Sequence, residues 1–166
     1  MKIIDGLLAE LEQESQTTRR VLERIPQEHL SWRPHPKSMS LGQLALHVAT
    51  VPGNVAELAA RDTIPEPPTF VQPEAATASE LVPTLAESVA KAKRALGDFD
   101  DARMGAMWRL QSGGRDLLSM PRVAVVRAIM LNHWYHHRGQ LLVYLRLLDV
   151  PVPSVYGPTA DENPFM

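Results

Sequence analysis

The sequence predicts an all-α protein, a four-helix bundle with a long crossing loop after the second helix and a small hairpin before the fourth. Three observations carry this. Four stretches repeat their apolar residues at the three-and-four spacing of amphipathic helices. The connection after the second stretch, Arg61 to about Thr77, is long and rich in proline and alanine. One hairpin signal, Gly113-Gly114, lies between Met107–Leu110 and Asp116–Ser119. With 166 residues, the whole chain 1–166 is expected to form a single domain with a sizeable core.

The first helix runs from about Met1 to Ile25, with Ile4, Leu7, Leu11, Thr18, Val21 and Leu22 on its apolar side, and Pro26 ends it. Gln27 to Ser40 is a loop, in which the prolines flanking His35 force extended backbone. Ser40 with Gln43 three residues on is a capping box for the second helix. Leu41, Leu44, Val48, Val51, Val55 and Leu58 form its buried face, and Pro52-Gly53 predicts a kink or brief break. Ser79 is placed to cap a third helix, Leu81 to Leu96, with Phe99 at its end. Ser119 and Pro121 supply the cap and an early position of the last helix. That helix, Val123 to Leu148, holds one glycine and no proline; its stripe Val126, Met130, His133, His137, Tyr144, Leu148 reads as the core-facing seam. The tail Val150–Pro158 cannot be helical and is expected to fold back over the bundle.

Charge narrows the partners. Seventeen Lys+Arg against 19 Asp+Glu leave no basic footprint for nucleic acid. Arg127, His133 and Arg138 interrupt the longest apolar run, so no membrane span is expected. The N-terminus carries no secretory pattern, which makes a cytoplasmic location the expectation. With no cysteine, metal chemistry falls to histidine and carboxylate.

His133 and His137, four residues apart on a helix, bring their Cβ atoms to about 5–6 Å on one face. Burying two imidazoles costs free energy unless each has a partner. Protein or water could supply those partners; so could a shared metal ion. A third imidazole, His47, sits mid-helix beside Leu44, Val48 and Val51. Three histidines with an open position suit zinc, and also iron, nickel or copper. Gln140 and Tyr144 project within about 20° of His133 and either hold water or substrate or fill the core. His136 flanks the pair, and Asn54 shares the face of His47 if the helix survives Pro52. Met107 and Met130 read as core filler, and Trp32 and Trp108 as packing anchors. A zincin would need Glu after the first histidine, where Trp134 stands. Di-iron bundles need inward glutamates, and the last helix has no acid before Asp149. A protein general base would have to arrive from elsewhere, such as Asp161 or Glu162.

His133-Trp134-Tyr135-His136-His137-Arg138-Gly139-Gln140-Leu141 resembles the C-terminal helix signature of the DinB / YfiT-like metalloenzyme superfamily. Leu30-Ser31-Trp32-Arg33-Pro34, followed by Ser40-Leu41-Gly42-Gln43-Leu44-Ala45-Leu46-His47, resembles its first loop and second helix, and Pro153 to Glu162 its C-terminal segment. The resemblance spans nearly the whole chain in order. It implies a DinB/YfiT-like bundle with an unusual connection order, a homodimer, and a divalent metal ion (Zn, Ni, Mn or Fe) on His47, His133 and His137. Relatives that act as thiol S-transferases or isomerases use low-molecular-weight thiols such as bacillithiol or mycothiol.

Two functions are therefore expected to compete. One is a metal-dependent thiol S-transferase or hydrolase acting on a small-molecule substrate, with Gln140 and Tyr156 as candidate catalytic contacts to substrate or water. The other is a non-enzymatic stress-response dimer in which the ion staples helices two and four together. A site that has lost its metal and takes an organic ligand is a third.

Overall fold

Helix α2 (Leu41–Ala60) packs against α3 (Leu81–Leu96) and against a long last helix, and α1 (Ile3–Leu22) packs against the same two. The order around the bundle is therefore α1, α3, α2, last helix. The last helix runs through α5 (Arg122–Ala124), a π-helical segment (Val125–Asn132) and α6 (His133–Leu147). This computed structural model describes residues 1–69 and 71–166. None of the described helices is long and apolar enough to cross a membrane.

The protein is mostly helical but not all-α. The hairpin, β2 (Met107–Ser112) and β3 (Arg115–Pro121), is joined by β1 (Thr63–Ile64) into a sheet of order β1-β2-β3. Strands β2 and β3 pair antiparallel around Gly113 and Gly114, whose φ values of 54° and 77° suit glycine. β1 lies parallel to β2, with Ile64 opposite Leu110. Two residues inside a proline-rich loop carry no periodicity, so this strand is set by its neighbour. A short helix, α4 (Asp101–Gly105), precedes the hairpin and is capped by Asp100, which accepts from the Arg103 amide at 2.7 Å.

Of the three helix starts expected from the sequence, one follows local chemistry and two depart from it. At α2 the box is reciprocal: Gln43 N–H donates to Ser40 Oγ (3.2 Å) and Ser40 N–H to Gln43 Oε1 (2.9 Å). Ser79 does not cap α3; it sits in a 3₁₀ turn, Ala78–Glu80, where its hydroxyl turns to Thr77. Ser119 lies within β3, and Pro121 is the residue that precedes the last helix.

Nor does Pro52 break α2. Lacking an N–H, it leaves the Val48 carbonyl free, and Trp134 Nε1–H of α6 takes it at 2.8 Å. Beside it, Gly53 N–H donates to Ser88 Oγ of α3 (2.8 Å), whose hydroxyl donates to the Thr50 carbonyl (3.1 Å). A Cβ on Gly53 would stand 2.9 Å from the Ser88 carbonyl oxygen, so α2 and α3 approach closely only because it is glycine. Neighbouring side chains thus complete the ladder, and the helix continues.

The C-terminal carbonyls of α2 are satisfied from outside as well. Trp108 Nε1–H donates to Leu58 (3.0 Å), Arg122 Nε–H to Ala59 (2.7 Å) and Arg103 to Ala60 (3.1 Å). Arg122 is fully buried and also donates to the Arg61 and Arg103 carbonyls.

The core-facing seam of the last helix is not the expected one. Val126 and Met130 are buried, but beyond the π segment the buried positions are Trp134, Arg138, Leu141 and Leu145. A π turn holds more residues than an α turn, so the seam advances by one and His133 and His137 swing to the flank facing α2. Arg138, buried in that seam, donates to Thr18 Oγ1 (3.0 Å) and pairs with Glu14 of α1 (2.6 Å). Met107, read as core filler, is 44% exposed, while Met130 is buried. The tail does fold back: Asp161 binds Arg146 and the Val152 amide, and Glu162 binds Arg20 and the Ser154 amide.

Candidate metal centre

His47 projects from α2 and His133 and His137 from the first turns of α6, half-buried where the two helices meet. Ring centroids are 5.3 Å (47–133), 4.6 Å (47–137) and 4.5 Å (133–137) apart. One ring nitrogen from each lies within 4.8 Å of the others, a group that can hold a metal ion. Trp134 and Val48, bonded to each other, are the chain neighbours of His133 and His47. The indole bond therefore fixes the spacing of the two helices at the level of the triad.

The π segment acts on the first ligand directly. His133 N–H reaches back five residues to the Ala128 carbonyl, which releases the Ile129 carbonyl that an α turn would give it. His133 Nδ1 lies 3.3 Å from that oxygen. A carbonyl only accepts, so Nδ1 carries the proton and Nε2 keeps its lone pair. On the next turn, His137 Nδ1 donates to Gln140 Oε1 at 2.8 Å, and its Nε2 is likewise left as an acceptor.

The two Nε2 atoms are 2.7 Å apart. Two lone pairs at that distance repel unless a cation stands with them. A proton is a poor choice, because burial pulls the affinity of all three rings for it below the ordinary value. His47 is pushed down to about 4, by burial first and then by the neighbouring imidazoles of His137 and His133. His133 and His137 are lowered by burial, against the opposing pull of their Ile129 and Gln140 hydrogen bonds. Three neutral imidazoles with one ring nitrogen each convergent, and with the outer nitrogens of His133 and His137 anchored, fit a divalent cation.

Other residues singled out in the sequence lie around or away from this point. Gln140 is exposed and orients His137. Tyr144 donates to the Met39 carbonyl (3.3 Å) and meets Trp32 edge to face at 5.6 Å, which ties down the loop before α2. His136 is exposed, its ring 5.0 Å from that of His137. The Tyr156 hydroxyl is committed elsewhere: it accepts from Arg138 (2.6 Å) and donates to Glu14 (3.0 Å), lining a different cavity. Asp161 and Glu162 are held below the usual carboxylate range, chiefly by Arg146 and by the Ser154 amide respectively, and serve the tail. Sequence reading missed Trp134, the Ile129 carbonyl and the buried Arg138. Proline four residues after Val48 was the one available sign that a donor was needed there.

His47 and His133 open onto a groove of about 740 Å³ between α2 and the crossing loop. Asn54 lines it, as the unbroken helix requires. The loop is pinned over α2 by Gln43 Nε2–H, which donates to the Gln72 carbonyl (2.9 Å), and by Ser40, which bonds Glu74.

Comparison with known proteins gives one consistent answer. The sequence profile of the DinB family matches residues 2–163. A Bacillus subtilis (strain 168) protein, described as uncharacterized protein YrdA, is 24% identical over 166 residues, covering 96% of this chain and 91% of that one. Among solved structures, a DinB-like protein from Bacillus cereus ATCC 10987 superimposes with a TM-score of 0.71 at 24% identity, covering 92% of this chain and 97% of that one. A DinB-like protein from Bacillus subtilis gives 0.66 at 18% identity, with 95% and 99% covered.

Proposed function

The chain belongs to the DinB family, and on that premise we propose that it is a metal-dependent enzyme acting on a small molecule, with His47, His133 and His137 as ligands of a divalent ion. The observation that carries this reading is the convergence of one ring nitrogen from each of three half-buried histidines, all within 4.8 Å of one another. Zinc, nickel, manganese and iron are the ions to test, since imidazole alone selects weakly among them. When bound, such an ion supplies Lewis acidity and makes a nucleophile from water or thiol at neutral pH.

The chain's own residues do the rest. Ile129 and Gln140 hold the two α6 rings in the Nε2-acceptor tautomer, and the Trp134–Val48 bond holds α2 at the matching distance. With no carboxylate in the triad, the ion keeps its full charge, which favours thiol S-transfer, with a low-molecular-weight thiol as co-substrate, or hydrolysis. A groove reaching the triad supports an enzyme over a structural staple, which needs no access. Val143 and Leu147, 58% and 57% exposed one turn apart on α6, support a homodimer.

The test is metal content by elemental analysis, followed by turnover of thiol plus electrophile by zinc-, nickel- and manganese-loaded protein. His137→Ala is expected to bind no stoichiometric metal and to lose turnover. Equal rates for the variant and the parent would remove the proposal.

A further inference from the structure

The groove beside the triad is chemically uneven along its length. Val51, Val55 and Leu58 of α2 face Pro68, Val71 and Pro73 of the crossing loop, so its middle is apolar. Two of the polar side chains there are committed: the Thr50 hydroxyl donates to the Leu46 carbonyl (2.9 Å), and Glu57 is paired with Lys91 (2.8 Å). Arg61 lines the far end and has no carboxylate partner among the described residues. Its backbone is rigid, since its N–H donates to Leu58 (3.2 Å) and its carbonyl accepts from Arg122 (3.2 Å). Arg61 is the residue that follows α2, fourteen positions after His47, about 21 Å away along the helix axis.

We propose that the groove binds an elongated small-molecule carboxylate: its apolar body lies along α2, its anionic end meets Arg61, and its opposite end reaches the triad. The direction of the ligand rests on the metal reading above, but the binding does not. Burying an alkyl chain between these walls supplies affinity, and the lone guanidinium supplies selectivity for the anion.

Calorimetry on metal-free protein tests this, because no carboxylate can then bind through an ion. Hexanoate, octanoate and decanoate are the probes, with 1-decanol as the uncharged control. Affinity is expected to rise about fourfold per added CH₂. Arg61→Met, a change at an exposed position, is expected to weaken decanoate about tenfold and leave decanol unchanged. Absence of a chain-length trend, or equal decanoate binding by Arg61→Met, overturns the proposal. Zinc titration of the same samples separates the two readings. Zinc binding without carboxylate binding overturns this inference alone; carboxylate binding without zinc binding overturns the metal reading alone.

Discussion

Trp134 Nε1 of α6 donates to the Val48 carbonyl of α2 at 2.8 Å, occupying the acceptor that Pro52 cannot use. One residue before each partner stands a histidine of the triad, so a backbone defect in one helix becomes the gauge that sets the site.

Trp134→Phe keeps an aromatic ring in the core but removes the donor, leaving a buried carbonyl unsatisfied. We expect a loss of about 1–3 kcal/mol in unfolding free energy, together with weaker metal binding. Urea titration and zinc calorimetry check both. A variant that loses stability but binds zinc like the parent would separate the bond from the site.

Gln140→Leu removes the acceptor for His137 Nδ1–H while leaving all three rings in place. Metal affinity is expected to fall about 10–100-fold, as for other groups that orient a ligand. Stability without metal should change little, because Gln140 is exposed. Unchanged affinity by competition with a chelating dye would show that packing alone orients the ring.

Acid should destabilise the metal-free protein. His47 holds its proton only below about 4, by burial first, whereas the unfolded chain takes it up near 6.5. Folded rings therefore bind fewer protons than unfolded ones within that window, and stability is lost as pH falls from about 6.5 toward 4. The rings are only half-buried, so the effect is screened; a fall of about 3 °C in Tm between pH 7 and pH 5 is expected, read by calorimetry at constant ionic strength. His47→Gln should flatten the curve, and an equally steep one would assign it to other groups.

Gly53→Ala sets two effects against each other. Alanine gains about 1 kcal/mol of helix propensity over glycine. Its Cβ would meet the Ser88 carbonyl oxygen at 2.9 Å, and that backbone cannot withdraw without parting α3 from α2. Overpacking of this kind costs about 1–3 kcal/mol, so a net destabilisation is expected in thermal melts.

How much of this is legible in the sequence depends on the range of the interaction. The Ser40–Gln43 box is legible because both partners lie within four residues. The meeting of His47, His133 and His137 is legible because a four-residue step puts two rings on one face and the third sits mid-helix. The seam of the last helix is not. Whether Val125–Asn132 winds as α or π is decided by what packs around it, and the choice moves every later position by one. The same holds for Trp134, whose acceptor lies 86 positions away, and for β1, whose two residues are a strand only because β2 is there.

The wide turn amounts to an ordinary α-helix carrying one surplus residue. Deleting Ala128, which is exposed, would let the segment rewind without rotating the faces on either side. The shortened helix would keep Trp134 and Arg138 in the interior and gain regular backbone bonds. It would also return a carbonyl to the His133 amide and unlock the imidazole now fastened to Ile129. A shortened chain that melts higher yet grips its cation less tightly would show that this helix trades robustness for the aim of a single ring.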